Sequence, residues 1–387
     1  MQSGDIKPSD FFFCTRMYAI LRAMEKNTSA AFRPEFEQNE VGRLKAALWD
    51  ASDKEINQTL KDYGVPSPGE MEKPGCYIQM THPLEQEEKL AKNDVVLIPL
   101  GSTELHGPHS VSAQDTLQVT RLCEAVRRYT AKQGRELNLA LPPWLYGNHP
   151  KHHVGMVGTI PISQKALEMQ LVDVMFGWWT QGYRKFVFVN NHAQHWVIVS
   201  AMDLFSLRYP QLPFFAHAFD WCCTVSEFFR TRDRGGSFED DFIHGDETET
   251  SLALLLAPET VDMSRAIDTK ARAYLPDGHY NRSANQRMRP NLWYSVRNNV
   301  PLEIVAQPEG VVGRATLASA EKAKRPVAAA LRYLTLLVDD VLKTFPPGKL
   351  PPIGEVTLFG KQEVEGYMKK LGEQGYKNPY RLWRPFS

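Results

Sequence analysis

The stretch DVVLIPL, residues 94–100, is apolar at every position after its first, and the polar stretch GSTELHGPHSVSAQD, residues 101–115, follows at once. An alternating pattern would mark a strand with one wet face. A continuous apolar run of this length marks one covered on both faces, as parallel strands between helices are. A second such run, KFVFVNN at 185–191, ends the same way, with Asn190, Asn191, His192, Gln194 and His195. Helical patterns at about 116–132 and 164–181 flank a third apolar run, LNLALPP at 137–143. This alternation reads as βαβ units and predicts a layered α/β domain. Ligands in that architecture gather at the carboxyl ends of the strands, where the polar residues stand.

Further out, residues 1 to 75 carry mixed helical patterns and end in the breaker-rich VPSPGEMEKPG, so they read as an N-terminal addition. The stretch DGHYNRSANQRMRPNLWYSVRNN, with Arg282, Arg287 and Arg289, reads as a long surface or active-site loop; it precedes VPLEIVAQPEGVVG and a helical pattern from about 318 to 343. The domain then spans 76–345, and a Pro-rich segment, 346–387, is expected to pack over its surface. Lys+Arg and Asp+Glu both total 45 among 387 residues without a long single-sign run, which argues against a nucleic-acid or polybasic membrane surface. A small molecule or another protein chain is the expected partner. The 5 cysteines are scattered without CxxC spacing, pointing to reduced thiols in a cytoplasmic protein. The start, MQSGDIKPSDFFFC, lacks a basic region before a long apolar one, so the chain reads as soluble and unexported.

Four polar elements carry the chemistry. In the first, Glu104 and His106 are two apart, so a strand continuing through Leu105 would point both to one face, where Asp115 can return to meet them. Imidazole and carboxylate donors without thiolates suit Zn, Mn or Fe(II). Ordinary loop hydrogen bonds would equally account for Glu104, His106 and His109. The second element, YGNHPKHHVGMVGTI at 146–160, offers His149, His152 and His153 for metal or a substrate pocket, although an exposed polar loop is the better reading for His149. The third places His192 at a strand end. In the fourth, HGDETETSLALLLAP at 244–258, helix capping explains Asp246 and extends to Glu247. Glu247 and Glu249, two apart, cannot share one helix face, and His244 with a carboxylate would supply acid and base for metal-assisted hydrolysis.

In order along the chain, PLGSTELHGPHSVSAQD, HHVGMVGTI, VNNHAQH and HGDETETS resemble the signature stretches of the creatininase family, with MTHPLEQEEKLAKNDVVLIPLGSTE leading in and PEGVVGRATLASAEKAK following. The resemblance implies a three-layer α/β/α fold with a mostly parallel central sheet, and a homo-oligomer such as a hexamer. It also implies two divalent metal ions per chain (Zn, Mn or Fe(II)) that activate water to cleave an amide-like C–N bond in a small, cyclic metabolite. By the same resemblance Glu104, His106, Asp115 and His192 are metal ligands, with Asp115 bridging. Creatininases proper carry a glutamate where this chain has Gln194, so Glu249 is taken as the fifth ligand. His244 is then the group that activates or protonates, Glu247 the competing base beside Glu249, and His153, Gln194, His195 and Trp221 the substrate contacts. Trp221 and Trp196 are equally explained as core residues. Three alternatives stand beside the amide reading: a C–C hydrolase opening a cyclic polyhydroxy ketone of the 3-dehydro-inosose type, a peptide-trimming or deformylating relative, and a non-catalytic metal-binding subunit.

Overall fold

A computed structural model describes residues 33–135, 138–139, 143–149, 153–270, 272–273, 303–304 and 309–350. Helices α1 (Glu40–Asp50), α2 (Asp53–Tyr63) and α3 (Pro83–Lys92) precede strand β1 (Val95–Leu100). There follow α4 (Gln114–Lys132), β2 (Asn138–Leu139), α5 (Gln164–Thr180), β3 (Lys185–Asn190), α6 (His195–Arg208) and β4 (Phe215–Asp220). The chain continues with α7 (Glu247–Leu256), a short antiparallel pair β5 (Arg272–Ala273) and β6 (Glu303–Ile304), and the long α8 (Ala320–Thr344). The main sheet is wholly parallel, in the order β2-β1-β3-β4.

Every residue of β1 and β3 is buried, and the period of two sorts them onto two faces. Val95, Leu97, Val187 and Val189 join one cluster with Val119, Leu122 and Val126 of α4, Leu252 of α7 and Val327, Leu331 and Leu334 of α8. Val96, Ile98, Leu100, Phe186 and Phe188 join the other, with Leu167, Leu171 and Met175 of α5 and Ile198 and Phe205 of α6. Helices therefore cover both sides, giving the expected three layers. At about 25 cal/mol per Å² of apolar surface removed from water, this two-sided burial is the principal stabilising term.

The capping residues explain why α2 starts and stops where it does. Ser52 and Glu55 form a reciprocal capping box, and Gly64 ends the helix at φ 66°, which glycine adopts freely. Ile56, Leu60 and Tyr63 of α2 belong to the first core cluster, and the Tyr63 hydroxyl lies 2.7 Å from Thr335 Oγ1 of α8. The apolar face of this segment, with Leu48 as well, thus packs into the core cluster on the α8 side of the sheet. No helix among the described residues is long and apolar enough to cross a membrane. The Arg282–Arg289 stretch and residues 351–387 lie outside the described residues.

Register aligns the strand ends. Leu100 pairs with Asn190 and Asn190 with Asp220, so β1, β3 and β4 stop on one line and their next residues emerge at one edge of the sheet.

Candidate metal centre

β1 stops at Leu100, and residues 101–107 are irregular rather than extended through Leu105 as expected. The loop is shaped by partners across it: Gly101 N–H donates to Trp144 O at 3.2 Å, Glu104 N–H to Ser112 O at 2.9 Å and Leu105 N–H to Thr159 Oγ1 at 3.0 Å. Gly101 is required by proximity, because a Cβ there would lie 2.4 Å from Thr116 Cα at the start of α4. This close approach lets the first turn of α4 carry Asp115 beneath Glu104 and His106. The two residues meet their neighbours through a folded loop and not through strand periodicity.

Around Glu104 the carboxylate oxygens face imidazoles. His192 Nδ1 lies 3.1 Å from Glu104 Oε2 and 3.2 Å from Asp115 Oδ2, and His153 Nδ1 3.0 Å from Glu104 Oε1. His149 Nδ1 is 3.6 Å and His244 Nε2 3.9 Å from the same Oε1. Beside them His106 Nε2 lies 3.2 Å from Asp115 Oδ1 and 3.5 Å from Glu249 Oε2. Donors about 2.1 Å from one tetrahedral ion stand about 3.4 Å from one another, so these separations suit a shared cation. Three donor triads meet that requirement among the described residues: Glu104, His149 and His192; Glu104, His106 and His244; His106, Asp115 and Glu249.

Backbone carbonyls set the imidazole tautomers. His106 Nδ1–H donates to Glu104 O at 2.9 Å and His192 Nε2–H to Asn148 O at 3.0 Å, so each ring turns its other nitrogen toward the carboxylates as the atom a metal would take. Ser102 Oγ–H donates to Asp115 Oδ2 at 2.7 Å. His106 Nε2, Glu104 Oε1 and both ring nitrogens of His149 are buried with no hydrogen-bond partner among the described residues. Such atoms are costly to bury unless something binds them.

Electrostatics point the same way. Burial pushes the Glu104 carboxyl up, but His244, His192 and His149 outweigh it and hold it well below the usual carboxylate range. Burial pulls His106 down, yet Asp115 and Glu249 raise it to about 10. His192 is likewise raised by Glu104 and Asp115 against burial. Glu249 is pushed up to about 8, by burial first and by Asp115 and Asp246 as well. Carboxylates and imidazoles are thus buried close enough to shift one another strongly, as donors gathered around a cation are.

The structure brings Glu104, His106, Asp115, His192, His244, Glu249 and His153 together. It departs from the expectations for three others. Glu247 is turned away: its carboxylate is paired with Lys322 Nζ and accepts from Glu239 N–H at 2.8 Å and Asp240 N–H at 3.0 Å. Gln194 is buried and fully spent on the scaffold, donating to Gly101 O at 3.2 Å and Asn190 Oδ1 at 3.3 Å and accepting from Asn148 N–H at 3.1 Å. Trp221 is a buried core residue whose indole N–H donates to Asn191 Oδ1, with its ring edge-on to Phe229. His195 begins α6, half-buried, beside His217 of β4, whose imidazole is pushed down by burial and by His195. Helix geometry explains Glu247: residues two apart point about 200° apart around a helix, so α7 carries Glu249 inward and Glu247 to the flank.

His149 reverses its reading as an exposed loop residue, for it is buried with its ring centroid 4.5 Å from that of His192. Its sequence signal was weak because Tyr146 to Ile160 is polar and Gly-rich, whether or not it folds inward. His152 lies outside the described residues. Asp246 caps α7, accepting from the Thr248 and Glu249 N–H groups, and His109 shares a hydrogen bond of 2.9 Å with Thr250 Oγ1.

The creatininase profile, that of creatinine amidohydrolase, matches residues 79–338. The chain belongs to the creatininase family. Among curated relatives, the 3-dehydro-scyllo-inosose hydrolase of Thermotoga maritima is 42% identical over 81% of this chain and 100% of that protein. A mycofactocin precursor peptide peptidase of Mycobacterium tuberculosis (strain CDC 1551 / Oshkosh) is 30% identical over 68% of this chain and 88% of that one. Among solved structures, the manganese form of creatininase superposes with a TM-score of 0.53 at 22% identity, covering 70% of this creatininase-family chain and 99% of that one. That likeness bears on the fold alone.

Proposed function

We propose that the protein is a metal-dependent hydrolase that opens a small cyclic polyhydroxy ketone by breaking a ring C–C bond. What carries the choice of substrate is the 42% identity to a 3-dehydro-scyllo-inosose hydrolase along all of that protein's length. The level of hydrolase agrees with the expectation from sequence. The bond is that of the C–C alternative read beside the amide C–N bond first expected, and the absence of a glutamate at Gln194 is consistent with that departure from creatininases proper.

Creatininase has been solved in manganese and Zn–Zn forms, and two divalent ions are the reading for this chain too. Glu104, Asp115 and His192 would hold one and His106, Asp115 and Glu249 the other, with Asp115 offering one oxygen to each side. Bound there, such ions lower the pKa of water toward neutrality and polarise a carbonyl. The chain's own residues orient and move protons. Ser102 and the carbonyls of Glu104 and Asn148 hold Asp115, His106 and His192 in place. His244 Nε2–H is anchored on Leu105 O at 2.8 Å, while its Nδ1 stands 3.8 Å from Glu249 Oε2. In this reading that pair would carry the water proton to the departing group. In the proposed reaction the water oxygen bonds to the ring carbonyl carbon and the adjacent C–C bond breaks. Its electron pair passes to the departing carbon, where the second carbonyl of a diketone ring takes it up as an enolate; that carbon then takes the proton, leaving one open-chain keto acid.

The test is to incubate the metal-loaded protein with an inosose-type diketone, cyclic amides and formamides, and to follow products by NMR. Formation of an open-chain acid from the ketone, without released amine and abolished by a chelator, is the expected result. Release of amine from an amide, with the ketone untouched, would replace this reading with the C–N one. The 30% identity to a peptide peptidase supports a second reading, peptide trimming, for which the same assay with short peptides is the check.

A further inference from the structure

His149 is not among the ligands that the signature motifs supply, yet its surroundings are those of one. Its Nδ1 stands 3.6 Å from Glu104 Oε1, its ring lies 4.5 Å from that of His192, and neither ring nitrogen has a hydrogen-bond partner among the described residues. Its placement is built. The preceding peptide is clamped at both ends: Gln194 Oε1 accepts from Asn148 N–H at 3.1 Å, and Asn148 O accepts from His192 Nε2–H at 3.0 Å. Gly147 allows the approach, because a Cβ there would come within 2.9 Å of His192 Cδ2 and 2.7 Å of Ser102 Cβ. The same hydrogen bond that aims His192 at Glu104 therefore fixes His149 beside it. His153 Nδ1 also touches Glu104 Oε1, at 3.0 Å, but it is His149 that forms a donor triad with Glu104 and His192.

We infer that His149 is a further ligand of the ion held by Glu104, Asp115 and His192. The inference rests on the proposed two-metal reading and makes the two halves of the centre unequal. One half then has four protein donors, Glu104, Asp115, His149 and His192. The other has three, His106, Asp115 and Glu249. Four protein donors close a tetrahedral ion, whereas three leave a position for water or substrate. The ion at His149 is the tightly held, charge-balancing one, and the ion at Glu249 is the exchangeable one that meets substrate.

The experiment uses full-length protein stripped of metal and titrated with Co(II), with elemental analysis for stoichiometry and visible absorption for the ligand field. Wild type is expected to bind two ions of distinct affinity. Losing a group behind a ligand costs about 10–100-fold in affinity, so His149→Ala should weaken the tighter ion by at least about 100-fold and alter its absorption bands. The second ion should still bind. His149→Asn, which keeps a polar side chain in the loop, guards against misfolding and should show the same spectral loss, with unchanged far-UV circular dichroism. Two ions bound by both variants with wild-type affinity and spectrum would overturn the assignment and leave the two-metal reading intact. No stoichiometric Co(II) in wild type would overturn both.

Discussion

Single side chains in this centre divide by what they touch, and Glu247 and Glu249 make the sharpest contrast. Both are acidic and two apart, but one is held by Lys322 and two backbone N–H groups while the other faces His106. Glu249→Ala should abolish metal-dependent turnover and lower bound metal to about one ion per chain, read by elemental analysis. Glu247→Ala should leave metal content unchanged and instead cost about 3 kcal/mol of stability, since Lys322 and the two amides lose their buried partner; urea denaturation measures it. Equal metal loss in both variants would contradict the division. Gln194 gives a second prediction. Gln194→Glu keeps the size but removes both donors to Gly101 O and Asn190 Oδ1, so the loop carrying His149 should loosen. A fall in kcat/KM of about 10–100-fold is expected, as for other groups that stand behind metal ligands. Wild-type kinetics would show that Gln194 does not position the loop.

At the level of elements, the centre depends on how closely β1 and α4 approach. Gly101 sits where β1 gives way to the loop, against the backbone of Thr116 in the first turn of α4, and Thr116 Oγ1–H returns a hydrogen bond of 3.1 Å to Ser102 O. Gly101→Ala would force the strand end and the helix start apart. Overpacking of this kind costs about 1–3 kcal/mol. The expected outcome is a lower melting temperature together with reduced metal content, because Asp115 rides on the displaced helix. A normal melting temperature and full metal content would show that the junction gives way elsewhere. The strand itself was readable: β1 and β3 are apolar throughout, and their ends follow from where polarity begins. The helix between β3 and β4, α6, was less so, because His195 to Arg208 has apolar residues on all sides and shows little periodicity.

Across the whole molecule, residues 33–75 are joined to the catalytic layer by a buried charge cluster as well as by the apolar core. Glu70 pairs with Arg127 and, at 3.4 Å, with Arg128 of α4, and its N–H donates to Glu124 Oε1 at 2.7 Å. Burial raises the Glu70 carboxyl, but Arg127 and Arg128 outweigh it and hold it below the ordinary value. A depressed folded pKa means that the folded state binds fewer protons, so this contribution is present above the unfolded carboxylate pKa and is lost as pH falls through the folded one. Stability should therefore decline on acidification below about pH 4.5, and Glu70→Gln should lower stability at neutral pH and flatten that acid limb. Denaturant titrations across pH read both; an acid limb unchanged in Glu70→Gln would remove Glu70 from this role. Deleting residues 1–75 should expose Val126, Leu331 and Leu334 and give an aggregating chain by light scattering, since Ile56, Leu60 and Tyr63 cover that face.

The sequence alone determined the layered α/β class and the strand-end location of the site, because covered strands must be apolar and ligands emerge where they stop. Resemblance in four ordered motifs added the residues that the structure gathers: Glu104, His106, Asp115, His192, His244 and Glu249. Only the tertiary structure decided which neighbours share a function. Glu247 and Glu249 separate because α7 turns one to Lys322 and the other to His106, and Gln194 and Trp221 pass to the scaffold because their polar atoms are already satisfied there. His149 enters the centre because a peptide clamped by Gln194 and His192 folds its loop inward. Such contacts join residues more than 40 positions apart, and no local pattern of polarity encodes them.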